Sequence, residues 1–209
     1  MDPNPVEIRV LGCLVEKQRT TPDAYPLTLN ALRLACNQTT NRDPVVAYDE
    51  PAIEAALGRL RERRWVRVAS MPGRRTVKYR HLLDEALGLD DPELAVLAVL
   101  MLRGAQTPGE LKQRTERLHG FAGLDELEAT LGRLAERGLA ARLERRAGEK
   151  QARCAQLLSG EPDAPEQDGP PVAAAGADDE LAARVERLER EVAELHAELA
   201  ALRSPGPSA

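Results

Sequence analysis

Residues 49–81 have the sequence DEPAIEAALGRLRERRWVRVASMPGRRTVKYRH, which predicts a helix followed by a basic β-hairpin. The Asp49 side chain can accept hydrogen bonds from the N–H groups of a first helical turn, and Pro51 fits that turn. Apolar residues then recur at helical spacing. After the turn signal Pro72-Gly73, apolar and basic residues alternate as they do in a strand. This order predicts a helix that packs on a core, a strand, a charged tip and a returning strand.

The same region carries a concentrated positive charge. Between Arg59 and Arg80 there are nine Lys or Arg residues and a single acid, Glu62, so the local charge is +8. Such a density suits contacts with phosphates, which dominate affinity for nucleic acids without carrying sequence information. The alternative is a solvated charged face, as most charge runs are. The predicted hairpin favours the nucleic-acid interpretation.

The remaining charge of the chain is unevenly distributed. The 209 residues have a formal net charge of −5, of which residues 161–209 contribute −8, whereas residues 1–160 have +3. The acidic balance therefore belongs to the C-terminal tail and does not argue against a polyanionic partner.

Cysteine usage and hydropathy predict a cytoplasmic protein. Cys13, Cys36 and Cys154 are odd in number and far apart in apolar surroundings, which is typical of reduced cysteines that pack in a core. No charged-then-apolar leader opens the chain, and its most apolar run is too short to span a bilayer.

Two copies of one pattern make up most of the chain. In residues 1–86 a first helix, a second helix capped by Thr28, a third helix and a hairpin follow in the order of a winged helix-turn-helix domain. Residues 87–160 repeat that order, with a capping box at 107–110, a third helix that Asp125 is expected to open, and a second basic hairpin. The third helices share sequence, since EAALGRLRER (54–63) and EATLGRLAER (128–137) are identical at eight of ten positions.

The last third of the chain differs in composition. Residues 161–177 are rich in Pro, Gly, Ala and acids, which is typical of a flexible linker. Residues 178–203 contain a heptad pattern that predicts a parallel dimeric coiled coil, and residues 204–209 form a disordered tail. The predicted dimerisation residues of the coiled coil are Leu181, Val185, Leu188, Val192, Leu195, Leu199 and Leu202. The alternative is that this helix folds back on its own domains, because barely three heptads are marginal for independent stability.

The predicted fold class is therefore mainly α with small β-hairpins (α+β), in tandem winged helix-turn-helix domains followed by a linker and a coiled-coil helix. The candidate nucleic-acid-binding residues lie in the two hairpins, the third helix and the polar loop at 37–44. They are Arg59, Arg61, Arg63, Arg64, Arg74, Arg75, Lys78, Arg80, Asn37, Asn41, Arg42, Arg145, Arg146 and Lys150. For the loop, turn and capping roles are the commoner alternative.

Enzymatic signatures are missing from the sequence. His81, His119 and His196 have no partners at metal-ligand spacing, and no phosphate-binding glycine loop, nucleophile elbow or paired-carboxylate motif occurs. We therefore expect a non-enzymatic protein without a cofactor or a metal.

Four segments resemble a known family. They are LGCLVEKQ (11–18), TPDAYPLT (21–28), CNQTTNRDPV (36–45) and LRGAQTPGEL (102–111), and together they are similar to the YceH-like family of uncharacterised bacterial proteins. The resemblance covers residues 6–160 and extends to the tail heptads. It implies a tandem winged-helix architecture in a bacterial cytoplasmic protein and brings no established activity or catalytic residue with it.

Two functions remain open at this point. The first is a homodimeric protein that binds double-stranded DNA, possibly a transcriptional regulator that docks through its basic wings. Its weakness is that the first turns of the third helix, which enter the major groove in ordinary winged helices, carry Asp49, Glu50 and Glu54. The second is a protein–protein interaction adaptor, because the same fold also serves as a scaffold and an acidic helix terminus suits a basic partner.

Overall fold

The structure, a computed structural model, describes residues 2–69, 76–145 and 151–160. Its helices are α1 (Pro5–Thr20), α2 (Leu29–Cys36), α3 (Glu50–Glu62), α4 (Leu83–Leu87), α5 (Asp91–Arg103), α6 (Pro108–Thr115) and α7 (Leu124–Glu136). Its strands are β1 (Leu27–Thr28), β2 (Val66–Val68), β3 (Lys78–His81), β4 (Ala140–Arg142) and β5 (Cys154–Gln156), and a short 3-10 turn lies at Pro22–Ala24. This mixture of helices and small sheets confirms the α+β class.

Side-chain caps start most of the longer helices. Thr28 accepts a hydrogen bond from the Ala31 N–H at 3.2 Å, and Asp49 accepts one from the Ala52 N–H at 2.9 Å, as predicted for α2 and α3. Thr107 and Glu110 form the predicted capping box of α6. These caps satisfy backbone donors that a first helical turn leaves without a partner, so short polar signals fix where the helices begin.

Two helices begin without a capping side chain. The segment at 82–91 contains the short helix α4, which therefore gave no local signal in the sequence. Helix α7 begins one residue before Asp125, with Gly123 at the cap position and no side-chain cap. Instead, Glu126 accepts a hydrogen bond from the Ala122 N–H at 2.8 Å, which holds the preceding turn.

The strands form two small antiparallel sheets in the described ranges. In the first sheet β3 lies between β1 and β2, and Val66 is paired with His81. In the second sheet β4 pairs with β5, so that Ala140 lies opposite Gln156, and Gln106 makes an isolated bridge to Cys154. The hairpin strands β2 and β3 follow three helices, as β4 and β5 do, so the second half repeats the order of helices and hairpin; β1 has no counterpart among the described strands of the second half.

The two halves share a continuous core and belong to one compact unit. Helix α1 packs directly on α5. A Cβ atom built on Gly12 would lie 2.9 Å from the Leu102 side chain and 3.1 Å from the Met101 Cβ atom. Because such distances are too short for a side chain, glycine is what allows these helices to approach at this crossing.

Several predicted features lie outside the described residues. These are the linker at 161–177, the coiled-coil helix at 178–203 with all seven dimerisation residues, the tail, and Arg74, Arg75, Arg146 and Lys150. Within the ranges that the structure describes, none of the helices has the length and apolar character needed to cross a membrane.

Candidate nucleic-acid interface

Two of the predicted DNA-binding arginines hold α3 onto α1. Glu7 is 2% exposed, and its carboxylate accepts a short hydrogen bond from Arg59 Nε. Arg63 Nε lies 3.9 Å from the second oxygen of the same carboxylate, and its guanidinium lies over the Trp65 ring. These contacts use both arginines to neutralise a buried acid, so their first role is structural.

The second repeat contains the same cluster. Glu93 on α5 is 4% exposed and accepts a hydrogen bond from Arg133 Nε at 3.3 Å and from Arg137 Nη1 at 2.9 Å. Arg133 and Arg137 occupy the places of Arg59 and Arg63 in the repeated ten-residue segment. The sequence identity of the two segments therefore reflects a shared ion-pair cluster. Sequence reasoning missed both glutamates, although each is an acid three residues after a polar helix cap.

Three other arginines line a groove between the end of α3 and β2. The groove has a volume of about 660 Å³ and is lined by Gly58, Arg61, Glu62, Arg64, Val66, Arg67, Val68 and Leu82. Arg61, Arg64 and Arg67 are exposed. Within residues 2–69, 76–145 and 151–160, none of these three side chains makes a hydrogen bond or an ion pair. Their charges face solvent together with one acid, Glu62.

Arg64 has an unusual backbone conformation. Its φ angle is +61°, in the left-handed region where residues with a Cβ atom are strained. The residue at the same place after α7 is Gly138, with a φ angle of +66°. Glycine is the ordinary residue at such a helix end. An arginine at this position costs stability, and strained residues cluster at functional sites.

The equivalent groove in the second repeat is not basic. It has a volume of about 350 Å³ and is lined by Glu128, Leu131, Gly132, Ala135, Ala140, Ala141, Arg142 and Cys154. Its single arginine, Arg142, lies 3.4 Å from the Glu128 carboxylate. The positions of Arg61 and Arg67 are occupied by Ala135 and Ala141. Of these two equivalent grooves, as far as the described residues form them, only that of the first repeat is basic.

The described parts of the hairpins contain three further candidates. Lys78 and Arg80 lie on β3 and are half-buried, and Arg80 pairs with Glu85 at 3.1 Å. Arg145 follows β4 and is exposed. Lys78 therefore lies beside the charged tip predicted for the first hairpin, whereas Arg80 is partly neutralised.

The polar loop at 37–44 is mainly a structural element. Asn37 donates to the Tyr48 carbonyl at 2.7 Å and accepts from the Tyr48 N–H at 2.9 Å. The Arg42 side chain is buried and donates to Glu16 Oε1 at 3.1 Å and Oε2 at 2.6 Å. The polar groups of Asn37 and Arg42 are used within the fold, which favours the turn and capping alternative, while their contact with nucleic acid stays a prediction. Asn41 is exposed but accepts a hydrogen bond from Arg103.

The Glu16–Arg42 pair is strongly charged. Burial alone would raise the pKa of the Glu16 carboxyl, but the hydrogen bond and charge of Arg42 outweigh burial and hold the pKa below its ordinary value. The pKa of Arg42 is raised, because the bond to Glu16 outweighs the effect of burial. Both groups therefore stay ionised and fix the loop to α1.

His81 is the last residue of β3, and it is fully buried. Its Nε2 atom lies in short contact with Gln18, its backbone N–H donates to the Tyr25 hydroxyl at 2.9 Å, and its Nδ1 atom is 3.4 Å from Asp84. Burial lowers its pKa to about 4, against the opposing effect of Asp84. His81 is thus a neutral packing residue at neutral pH.

The three cysteines have the packing role expected for them. Cys13, Cys36 and Cys154 are free and buried, and burial raises the pKa of the Cys154 thiol. In the part of the chain that the structure describes, no group of three or more His, Cys, Asp or Glu residues is placed to hold a metal ion.

Fold and site define an α+β protein of two related halves, with a basic groove in the first half. The chain belongs to the family described as "Protein of unknown function, DUF480", whose model matches residues 3–149. It is 51% identical to a UPF0502 protein of Pelobacter propionicus, over 96% of this chain and 93% of that protein. It is 50% identical to a UPF0502 protein of Geobacter sulfurreducens (92% and 89% covered) and 44% identical to one of Serratia proteamaculans (96% and 95% covered).

Proposed function

We propose that this protein binds double-stranded DNA through the basic groove of its first repeat and the adjoining hairpin. The observation that carries the proposal is the grouping of Arg61, Arg64 and Arg67, which are exposed and without a partner among the described residues. Guanidinium groups bind phosphates through paired N–H donors, and phosphate contacts supply most non-specific affinity for DNA.

The position of the groove suits a winged-helix mode of docking led by the wing. The repeated helix–helix–helix–hairpin order supports a tandem winged-helix assignment. The N-terminal turn of α3 is acidic, with Glu50 only 3.6 Å from Arg33 and Glu54 exposed. Phosphates would be repelled there, so we place the contacts at the C-terminal end of α3 and on β2 and β3, with the tip residues Arg74 and Arg75.

We further propose that the heptads at 178–203 form a parallel coiled coil and make the protein a homodimer, acting without a cofactor as a cytoplasmic regulator. Two copies of the groove on one dimer would engage one duplex together, which strengthens binding without new contacts. Sedimentation of the whole chain and of a chain ending at residue 177 tests this part. An unchanged mass would refute it.

Salt titration of DNA binding tests the central proposal. A labelled random duplex is titrated by fluorescence anisotropy at several salt concentrations, with the whole chain and with Lys78→Gln combined with Arg74→Gln and Arg75→Gln. Each lost phosphate contact should lower the slope of log affinity against log salt by about 0.9. The comparison is Arg145→Gln in the second repeat, which should lower the slope less than one substitution in the first, because neighbouring acids offset the charge of Arg145.

The alternative is a protein-interaction adaptor. It is favoured by the acidic start of α3 and by the exposure of Leu34, whose side chain is 56% accessible on α2. An adaptor would show little duplex affinity even at low salt. Absence of salt-dependent binding at micromolar protein would therefore replace the DNA proposal with this one.

A further inference from the structure

A second basic cavity lies where the two repeats meet, away from the groove. It has a volume of about 420 Å³ and is bordered by α1, α5 and α6 and by the polar loop at 37–44. Its basic residues are Arg103, Arg114 and Arg117, and its apolar residues are Val99, Leu102 and Leu118. Concave sites with an apolar floor and a few converging polar groups at a boundary between structural units are typical of small-molecule binding.

The positive charge of this cavity exceeds the negative charge around it. Glu16 also lines the cavity, but both of its oxygens accept hydrogen bonds from Arg42. Arg114 lies 3.5 Å from Glu110, whose other carboxylate oxygen is 3.2 Å from Arg153. The carboxylates of Glu16 and Glu110 are therefore already paired, with Arg42 and with Arg114 and Arg153.

Arg103 and Arg117 are the two arginines of the cavity whose guanidinium groups make no ion pair with a carboxylate among the described residues. Arg103 is half-buried, and within the described ranges its only side-chain hydrogen bond is to the amide oxygen of Asn41. Arg117 is exposed, and among the described residues it makes neither a hydrogen bond nor an ion pair. Burial and the neighbouring charges of Arg114 and Arg42 lower the pKa of Arg103, which outweighs the opposite effect of Glu16 and Asp43. Since arginine stays protonated in proteins, this cation lacks compensation that an anion would supply.

We propose that this cavity binds a small organic anion. Its carboxylate or phosphate group accepts hydrogen bonds from Arg103, Arg114 and Arg117, and its apolar part lies on Val99, Leu102 and Leu118. Arginine donors are arranged as a planar fork that matches both head groups, so either one satisfies this chemistry. The proposal does not depend on DNA binding, since none of these residues lines the groove of the first repeat.

Calorimetric titration of the whole chain tests the cavity with three probes that share a phenyl ring. Phenyl phosphate and benzoate carry the two candidate head groups, and phenol is their neutral counterpart. We expect at least one anion to bind at millimolar concentration, with phenol much weaker. The anion that binds more tightly identifies the head group. Equal binding of all three, or binding of none, would overturn the proposal.

Substitutions assign the binding to the cavity. Arg117→Gln removes an exposed side chain without a described partner, so its thermal midpoint should be unchanged while affinity for the anion falls about tenfold, which corresponds to about 1.4 kcal/mol. Arg103→Gln should have a similar effect. Lys112→Gln is the matched control, because it removes one positive charge from α6 outside the cavity. If Lys112→Gln weakens binding as much as Arg117→Gln, the anion responds only to diffuse charge and no site exists.

Discussion

Arg61, Arg64 and Arg67 in the first repeat occupy the places of Ala135, Gly138 and Ala141 in the second. By contrast, Arg59 and Arg63 are matched by Arg133 and Arg137, and both pairs neutralise a buried glutamate. Arginines that the two halves share therefore hold each third helix onto its first helix. Arg61, Arg64 and Arg67, which the second half lacks, face solvent, so comparing the repeats in this region separates structural charge from charge available to a partner.

The largest expected effect comes from replacing the first groove by the second. In Arg61→Ala, Arg64→Gly and Arg67→Ala together, the salt slope of DNA binding should fall by about 2.7, from about 0.9 for each phosphate contact. The fold should be retained, since the second repeat uses these residues at the same places. Anisotropy at several salt concentrations measures the slope. A slope within error of the unmodified protein would remove the groove from the interface.

The next effect concerns the cores, where Leu57 and Leu131 are equivalent and 1% and 6% exposed. Replacing either by Ala should lower the free energy of unfolding by about 2–5 kcal/mol, the range for large-to-small core changes. Leu131 borders the open groove of the second repeat, where neighbours can relax, so Leu57→Ala should be the more destabilising. Urea unfolding ranks the two, and losses below about 0.5 kcal/mol at both would contradict their burial.

Local signals explain which parts of the fold could be predicted from sequence. The starts of α2, α3 and α6 were predicted because a capping side chain and its backbone partner are three residues apart, as in the Thr28–Ala31 bond. Helix α4 was missed, since it begins at a leucine cap without such a bond. The direct contact of α1 with α5 depends on packing between distant segments that no local pattern records.

Counting charges could locate the basic region but could not tell the arginines that pair within the fold from those that face solvent. The +8 segment includes Arg59, whose partner Glu7 is 52 residues earlier, and a list of charges does not show that pairing. Arg42 was assigned to the interface because its loop is rich in polar side chains, and local sequence does not show that it is buried against Glu16. The internal repeat was the available signal, because Arg59 and Arg63 recur in the second repeat whereas Arg61, Arg64 and Arg67 do not.

The shared ion pairs provide a third test. Glu7→Gln keeps the side-chain volume but removes the negative charge that Arg59 and Arg63 contact, which should cost about 1–3 kcal/mol of stability. Glu93→Gln should cost more, because both Glu93 oxygens accept hydrogen bonds from arginines, at 3.3 and 2.9 Å, whereas glutamine keeps one acceptor oxygen. The exposed Glu54→Gln is the control. Equal stability of Glu7→Gln and Glu54→Gln in urea unfolding would show that the pairs contribute nothing.

His81 should make the stability of the first repeat depend on pH, whereas the second repeat has Gln156 at the same place in its sheet. Burial lowers the pKa of His81 to about 4 in the folded chain. At pH values below the ordinary pKa of histidine, His81 therefore binds more protons in the unfolded chain than in the folded chain. The contribution of a neutral His81 to stability is complete above about pH 6.5 and declines as the pH falls toward 4. His81→Gln should remove this part of the decline. Identical pH profiles of the two proteins in urea unfolding would contradict the assignment.

The smallest effect has the most distinctive sign. Arg64→Gly relieves a left-handed backbone conformation that glycine adopts without strain, so it should raise the free energy of unfolding by up to about 1 kcal/mol. The greater freedom of glycine in the unfolded chain offsets part of that gain. The same protein should bind DNA with a salt slope lower by about 0.9, because one phosphate contact is lost.

Arg61→Gly is the matched control, since it removes a neighbouring arginine of the same groove from within α3. There glycine should lower stability by about 1 kcal/mol while reducing the slope by the same amount. Two substitutions with equal effects on binding and opposite effects on stability would mean that Arg64 is retained for its charge at a cost to the fold. If Arg64→Gly destabilises as Arg61→Gly does, the arginine belongs to the packing of the helix end, and the groove loses its central residue.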